Sequence, residues 1–541
     1  MDLAETVAVE HHELPGARDG HYAGVVEYGE DALLLRVHLI RAARRSIDLQ
    51  TFIWDDDASA QVIAFELVQA AKRGVQVRVL LDHMWSAKNT SAITFDETTY
   101  PGIDIKIYRP PAKWLNPGTP WRILYMILPT GANQRMHNKM MIVDGVLGFT
   151  GGRNIGDKYF GRSTEYNFKD REVIVAGPQV VAMSRSFEAY WNFKRSYYNH
   201  EMRDVARLIK QGVTQPAMTR EATGLDSTFA DVDRDAADPA AIQRIFVDRM
   251  RAVAGLSFVS DAPGRKSDFM YTSLGTRSRM FHGFWAQMAE THEELLMQSP
   301  YTIFDLRARH LFRKHRETAP GMRTMISTNS LGSADHTVTY AANYRLRSKM
   351  IGRMNFEVYE MKPHPEMLAE HLPRFGALKA RAAEEGKSKE PYLSIHAKTF
   401  IFDRRAVYIG TLNLDPRSFY VNGECGVFID DPDFAEEMRA TLLREMGAGN
   451  SWVIAKHRYV LGFLNRPLEA LSSALPVDPW PIRNTGGYEL KPGAIEVSPK
   501  DPAFYDNYVD IGSFPGTTPL EQRRIITSII KTFGMAATPL L

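Results

Sequence analysis

A single cysteine, Cys425, stands in a chain of 541 residues. That excludes an intramolecular disulfide and any zinc site built on several thiolates, and it fits a reducing compartment. Long apolar runs are also missing. The longest, such as Ile123 to Leu128 (ILYMIL), fall far short of the ~18 residues that read as a bilayer span. The opening MDLAETVAVEHHELPG is acidic and lacks the apolar stretch of a secretory leader. An excess of one charge is absent too. Lys and Arg total 66 against 64 Asp and Glu, a net +2, so no global basic field points to nucleic acid. These absences leave an ordinary globular chain, 44% hydrophobic and 24% charged, able to build a core without covalent staples. The chain is expected to be soluble or to lie on a membrane, and not to cross one.

What the sequence does have is a repeat. MHNKMMIVDGVLGFTGGRNIG (from Met136) and IHAKTFIFDRRAVYIGTLNLD (from Ile395) share the pattern H-x-K-x4-D-x6-G-x2-N. Its members are His137, Lys139, Asp144, Gly151 and Asn154, then His396, Lys398, Asp403, Gly410 and Asn413, at one constant offset. The likeness extends upstream. SIDLQTFI (Ser46–Ile53), a helical stretch closed by Gly74 and VQVRVLLD match ELLMQSPYTIFD, a helical stretch closed by Gly321 and MRTMIST. Each copy therefore reads helix–strand–helix–strand, then a loop and a strand hairpin. The predicted fold is α/β: two pseudo-two-fold-related halves, each with a mostly parallel central sheet flanked by helices. The expected organisation is residues 1–200 as the first half, 201–255 as a helical connector, 256–450 as the second half and 451–541 as a C-terminal extension.

The repeated residues suit phosphodiester chemistry. His and Lys two positions apart share one face of a strand. The Asp-Gly at 144–145 signals a hairpin turn, and Gly151-Gly152 lets backbone come close to a ligand. Two such hairpins brought together would gather two imidazoles, two ammonium groups and two amides in one cleft. One imidazole can attack phosphorus and carry the group, while the other moves the proton. Lys139, Lys398, Asn154 and Asn413 can hold the non-bridging oxygens, so the chemistry needs no metal and no cofactor. Asp144 and Asp403 belong to the catalytic signature by pattern. An odd offset of seven from each histidine takes them off the shared strand face, so they are expected to fix the turn. Each histidine needs an acceptor to orient its second nitrogen. Asp170 in FKDREVIVAGP and Glu424 in NGECGVFID, at the same place in each repeat, are the candidates.

These residues resemble the phospholipase D superfamily, whose members carry two HxKxxxxD signatures. The resemblance covers roughly residues 20–460. SIDLQTFIW, NQRMHNKMMIVD, TGGRNIGDKYFG and IGTLNLDPRS are similar to the bacterial cardiolipin synthases of the type C branch. The resemblance implies a site between the halves and transfer of a phosphatidyl group between phospholipids through a phosphohistidine. By that analogy His137 is the nucleophile and His396 the general acid/base. Implied substrates are phospholipids, with phosphatidylglycerol and phosphatidylethanolamine both open. A hydrolytic phospholipase D is the alternative, and a nuclease on the same fold is the third reading, which the near-neutral charge disfavours.

Such an enzyme must reach a membrane. Trp114 to Leu128 is rich in aromatics, Arg309, Arg313 and Arg316 share one face of a helix, and Leu520 to Phe533 reads as an amphipathic helix. These three segments are the expected points of contact with a peripheral membrane surface. No nucleic-acid partner is expected.

Overall fold

The computed structural model describes residues 20–86, 101–118, 134–213, 218–265, 278–457 and 484–518. The first half supplies strands β1 (Tyr22–Val26), β2 (Ser46–Thr51), β3 (Gln76–Asp82), β4 (Ile103–Tyr108), β5 (Met140–Val143), β6 (Leu147–Gly151), β7 (Tyr166–Lys169), β8 (Glu172–Ala176) and β9 (Ser196–Tyr198). After short connector helices comes β10 (Arg251–Ala252). The second half supplies β11 (Gly255–Ser260), β12 (Glu294–Gln298), β13 (Arg323–Asn329), β14 (Glu357–Met361), β15 (Tyr392–Ile395), β16 (Thr399–Phe402), β17 (Ala406–Gly410), β18 (Cys425–Asp430), β19 (Ser451–Lys456), β20 (Thr485–Leu490) and β21 (Tyr508–Asp510).

The duplication read from the motifs extends to topology. One sheet runs β10-β1-β8-β6-β5-β2-β3-β4-β9 and the other β11-β18-β17-β16-β12-β13-β14-β19-β20-β21. From β1 to β9 and from β11 to β19 the two orders correspond strand for strand. The α/β class and the two halves stand, but the sheets are mixed where a mostly parallel sheet was expected. Only β2-β3-β4 and β12-β13-β14 run parallel. The repeated hairpin, β8 or β18, and the leading strand all join antiparallel. The reason is local: a three-residue turn at 144–146 or 403–405 can only return the chain antiparallel, whereas the helical crossovers upstream give parallel neighbours. The segment beyond residue 451 is also not separate from the second sheet. β19 occupies the place of β9, and β20 and β21 extend the same sheet.

Apolar periodicity explains the crossovers. The helix Ala58–Lys72 is capped by Asp57, whose side chain accepts from Ala60 N, and it buries Val62, Ile63, Phe65, Leu67 and Val68 against the first sheet. Each such side chain contributes roughly 1.5–3 kcal/mol on burial. The second half has its own core around Phe284, Phe312, Ile326 and Phe400. A further cluster spans both halves, packing Ile142, Val173 and Val175 with Ile401, Val407 and Val427. The join is completed by a small parallel sheet in which β7 pairs with β15, Ile395 opposite Lys169. Among the described residues no helix is long and apolar enough to cross a membrane. Residues 119–128 and 520–533, in two of the segments singled out for membrane contact, lie outside the described residues.

The two hairpin turns use left-handed backbone. Asp144 and Gly145 have φ of 54° and 70°, and Asp403 and Arg404 have 49° and 54°. Asp tolerates this region and Gly is free in it, but an Arg side chain is strained there by about 1 kcal/mol. The Arg404–Glu294 contact, at 3.8 Å from a half-exposed side chain, returns little. Arg404→Gly is therefore expected to raise stability by about 1 kcal/mol. Urea unfolding reads this as a higher midpoint at unchanged slope, and a midpoint equal to or below that of the parent chain contradicts it.

Candidate active site

The two histidines precede the hairpins, on extended segments that lead into β5 and β16. Each segment is bonded through its main chain to the other half. Met136 bridges Gly423, and His137 N donates to Gly423 O at 2.8 Å. On the opposite side of the pseudo-two-fold, β15 runs along β7 and His396 N donates to Lys169 O at 2.8 Å. Each histidine thus lies beside the residue that follows the paired strand position in the other half, which is Glu424 for His137 and Asp170 for His396. His137 Nδ1 meets Glu424 Oε2 at 2.7 Å, and His396 Nδ1 meets Asp170 Oδ2 at 2.5 Å. Asp170 and Glu424 were proposed as acceptors following each motif. The structure keeps both but crosses them, so each half orients the histidine of the other.

With Nδ1 donating to a carboxylate, the tautomer and orientation of both imidazoles are set, and Nε2 is the nitrogen that the acid does not engage. Their rings are held by aromatic neighbours. Phe52 meets His137 edge-on at 4.9 Å, and Phe168 and Tyr159 lie 4.6 and 5.5 Å from His396. Lys139 Nζ donates to His137 O at 2.7 Å, and Lys398 Nζ donates to His396 O. His137, Lys139, His396 and Lys398 are all buried, at 7, 2, 8 and 1% exposure.

Burial of this many cations sets the electrostatics. Desolvation, together with the charge of Lys398, brings Lys139 down to about 7, and burial brings Lys398 down to about 8. Burial and the neighbouring ammonium groups push His137 well below its usual value and His396 down to about 4. The two acids differ. Burial drives Glu424 up to about 7, against the pull of Lys139. At Asp170 burial acts the same way, but His396 and Lys398 overcome it and hold the carboxyl well below the usual range. Cations buried together in this way favour an anion beside them.

The remaining signature residues divide. Asn154 is spent inside the protein, its Oδ1 accepting from Ile53 N and its Nδ2 donating to Tyr159 Oη. Asn413 keeps a buried Oδ1 with no partner, and a half-turn of its amide presents N–H donors there. Of the two amides expected to hold phosphate, only Asn413 has an atom left for it. Asp144 and Asp403 do not join the histidines. Asp144 accepts from the backbone N–H of Arg44, Arg45 and Ser46, and Asp403 from those of His292, Glu293 and Glu294. Each ties its hairpin turn to the start of β2 or β12, as the odd offset implied. The glycines after β6 make room for an acid: a Cβ on Gly152 would lie 2.1 Å from Asp170 Oδ1, and one on Gly151 2.2 Å from Arg171 O.

Sequence reasoning missed a set of supporting groups. Thr411 Oγ1 donates to Glu424 Oε2 at 2.5 Å, and Asn422 Nδ2 to Glu424 Oε1 at 3.3 Å. Thr411 occupies the repeat position of Gly152, so the alignment held the signal: the shorter acid faces a glycine and the longer one a hydroxyl. Behind Asp170, the buried Lys169 and Arg171 both pair with Glu27 (2.9 and 2.6 Å) and with Glu445 (2.7 and 3.1 Å). Arg171 also donates to Gln298 and Thr399. These partners lie far apart in the chain, and no local pattern links them.

A family model described as "Cardiolipin synthase, PLD-like domain" matches residues 37–191 and 287–446. An uncharacterized protein of Helicobacter pylori (strain J99) is 32% identical over 81% of this chain and 82% of its own length. Cardiolipin synthase C of Escherichia coli (strain K12) is 30% identical over 76% of this chain and 82% of its own. The crystal structure of phosphatidylserine synthase from Haemophilus influenzae Rd KW20 shares the fold, with a TM-score of 0.51 at 15% identity, covering 82% of this chain and 91% of that one.

Two outcomes are expected. Asp144→Ala lowers stability by about 2 kcal/mol, by stranding backbone donors, yet leaves anion binding at the site intact below the melting temperature. Equal loss of both would place Asp144 in the site. For the lysines, protons are lost as pH rises through about 7 and 8, and a bound anion favours the charged forms. Vanadate affinity should therefore fall above pH 8, with proton uptake on binding. Calorimetry in two buffers of different ionisation enthalpy checks this, and pH-independent affinity without proton uptake contradicts it.

Proposed function

The chain belongs to the cardiolipin synthase, PLD-like domain family, and on that premise we propose that it is a phosphatidyltransferase acting on phospholipids through a phosphohistidine. The observation that carries the reading is the crossed pair: two imidazoles, each held at Nδ1 by the other half's carboxylate with Nε2 left over, among buried lysines. In the proposed cycle His137 Nε2 attacks phosphorus of the first phospholipid. The bond from phosphorus to the headgroup oxygen breaks, and His396 gives that oxygen its proton, releasing the headgroup alcohol. The phosphatidyl group stays on His137. The hydroxyl of a second phospholipid then attacks phosphorus, its proton passes to His396, the N–P bond breaks and His137 is restored. Lys139, Lys398 and Asn413 hold the non-bridging oxygens, where charge redistributes as bonds change.

The unequal acids support this division of labour. A firmly ionised Asp170 behind His396 stabilises an imidazolium, which a proton donor needs. Glu424, raised toward neutrality, does less to protonate His137 and leaves its lone pair available for attack. The bound phosphate anion supplies the negative charge that brings the imidazolium form of His396 into reach. We take phosphatidylglycerol, whose headgroup carries free hydroxyls, as the second (acceptor) substrate, and either phosphatidylglycerol or phosphatidylethanolamine as the first, which releases glycerol or ethanolamine.

The test is incubation of the purified protein with labelled phosphatidylglycerol, with and without phosphatidylethanolamine, and identification of products by mass. Cardiolipin with released glycerol or ethanolamine is the expected result. Phosphatidic acid with no transfer product would establish hydrolysis in its place. His137→Ala and His396→Ala should each lose turnover by roughly 10²–10⁴-fold or more, with only the former unable to form an acid-labile phosphoenzyme. Retained turnover in either single variant contradicts a shared site.

A further inference from the structure

The basic helix singled out in the sequence, Leu306–Thr318, does not stand alone. Its polar face meets the end of a second helix, Thr337–Gly352, and the residue after it. Between them is a shallow pocket of about 130 Å³ lined by Leu306, Arg309, Arg313, Lys349, Arg353 and Met354. Four of these six are cations, and the lining holds no acidic side chain. Asp305, at the head of the helix, is turned to its own cap and accepts from Ala308 N. Arg316 Nη1 donates to Arg353 O at 3.1 Å, which ties the second segment to the first helix. Burial, with the charges of Arg313 and Arg353 close by, lowers the pKa of Arg309 against the pull of Asp305, whose main-chain oxygen also accepts from Arg309 Nε at 3.1 Å. Like charges gathered at one concavity repel one another, and an anion seated among them relieves that repulsion.

The apolar part of the lining carries the second half of the argument. Leu306 is 63% exposed, a large apolar side chain left in solvent at the rim of the cationic pocket. An apolar side chain beside a cluster of guanidinium and ammonium groups is the combination that suits a lipid interface, with cations at the phosphates and the apolar group at the acyl boundary. A soluble phosphate would use the cations and leave Leu306 in water.

We propose that this pocket is a second phosphate-recognition site, separate from the histidine pair, which docks the headgroup of an anionic phospholipid in a bilayer and holds the protein on the membrane that carries its substrate. The site acts by binding and takes no part in bond changes. It rests on the phosphatidyltransferase reading only for the identity of that membrane.

The test reads binding without turnover. Full-length protein carrying His137→Ala is floated with vesicles of phosphatidylcholine alone or of phosphatidylcholine with phosphatidylglycerol. Arg313→Ala with Arg353→Ala is expected to lower affinity for the anionic vesicles roughly thirtyfold, equivalent to about 1 kcal/mol per lost cation, and binding should weaken with salt. Lys210→Ala with Arg244→Ala, an equal charge change on the exposed connector helices, should bind as the parent does. R313Q/R353Q is read in the same way should the alanine pair fail to fold. Parent-level binding by the folded pocket variant overturns the proposal, as does an equal loss in the connector control. Suppression of vesicle binding by millimolar inorganic phosphate at constant ionic strength would identify a free-phosphate site and also overturn it. On short-chain monomeric phosphatidylglycerol the pocket variant, with His137 restored, should turn over at the parent rate, so a failed transferase assay and a failed docking assay remain distinct results.

Discussion

The structure turns on two stretches of main chain that cross between the halves. Met136 and His137 lie along Gly423, and Ile395 and His396 lie along Lys169. Backbone hydrogen bonds fix these contacts in register, and the register decides which carboxylate each imidazole meets. A shift by one residue would turn the acid away from its histidine. Asp170 and Glu424 are fully buried, and each meets the histidine of the other half. The site and the association of the halves are therefore one requirement.

Around that crossing the duplication has diverged in a consistent way. Gly152 gives Asp170 room, while Thr411 at the equivalent place donates a hydrogen bond to Glu424. Asn154 is engaged within the protein, while Asn413 keeps an atom to spare. Behind Asp170 stands a dense cluster of Lys169, Arg171, Glu27 and Glu445. His396 and Lys398 keep Asp170 ionised, and burial drives Glu424 on the other side toward neutrality. Two closely similar motifs thus place their histidines in two different electrostatic settings.

Much of this was legible before any coordinates. The repeat exposed the duplication because the chemistry fixes residue types at fixed spacing, and the Asp-Gly turn marked the hairpin because few residues accept left-handed backbone. The odd offset of Asp144 and Asp403 indicated a turn role, which their bonds to the starts of β2 and β12 agree with. The expected parallel sheet was too simple, since periodicity finds strands without giving their direction. Asn154 and Asn413 looked equivalent because their difference lies in Tyr159 and Ile53, which no motif includes.

The sequence by itself determined that two copies of one unit exist, which residues make up the repeated signature, and the hairpin that follows each histidine, because spacing along a chain governs turns and strand faces. Only the tertiary structure decided that each histidine is served by the opposite half's acid, and that Arg309 and Arg313 share a pocket with Lys349 and Arg353. Those pairings depend on how separate elements pack. Packing is set by the fit of whole surfaces, and residues near in space need share nothing in sequence.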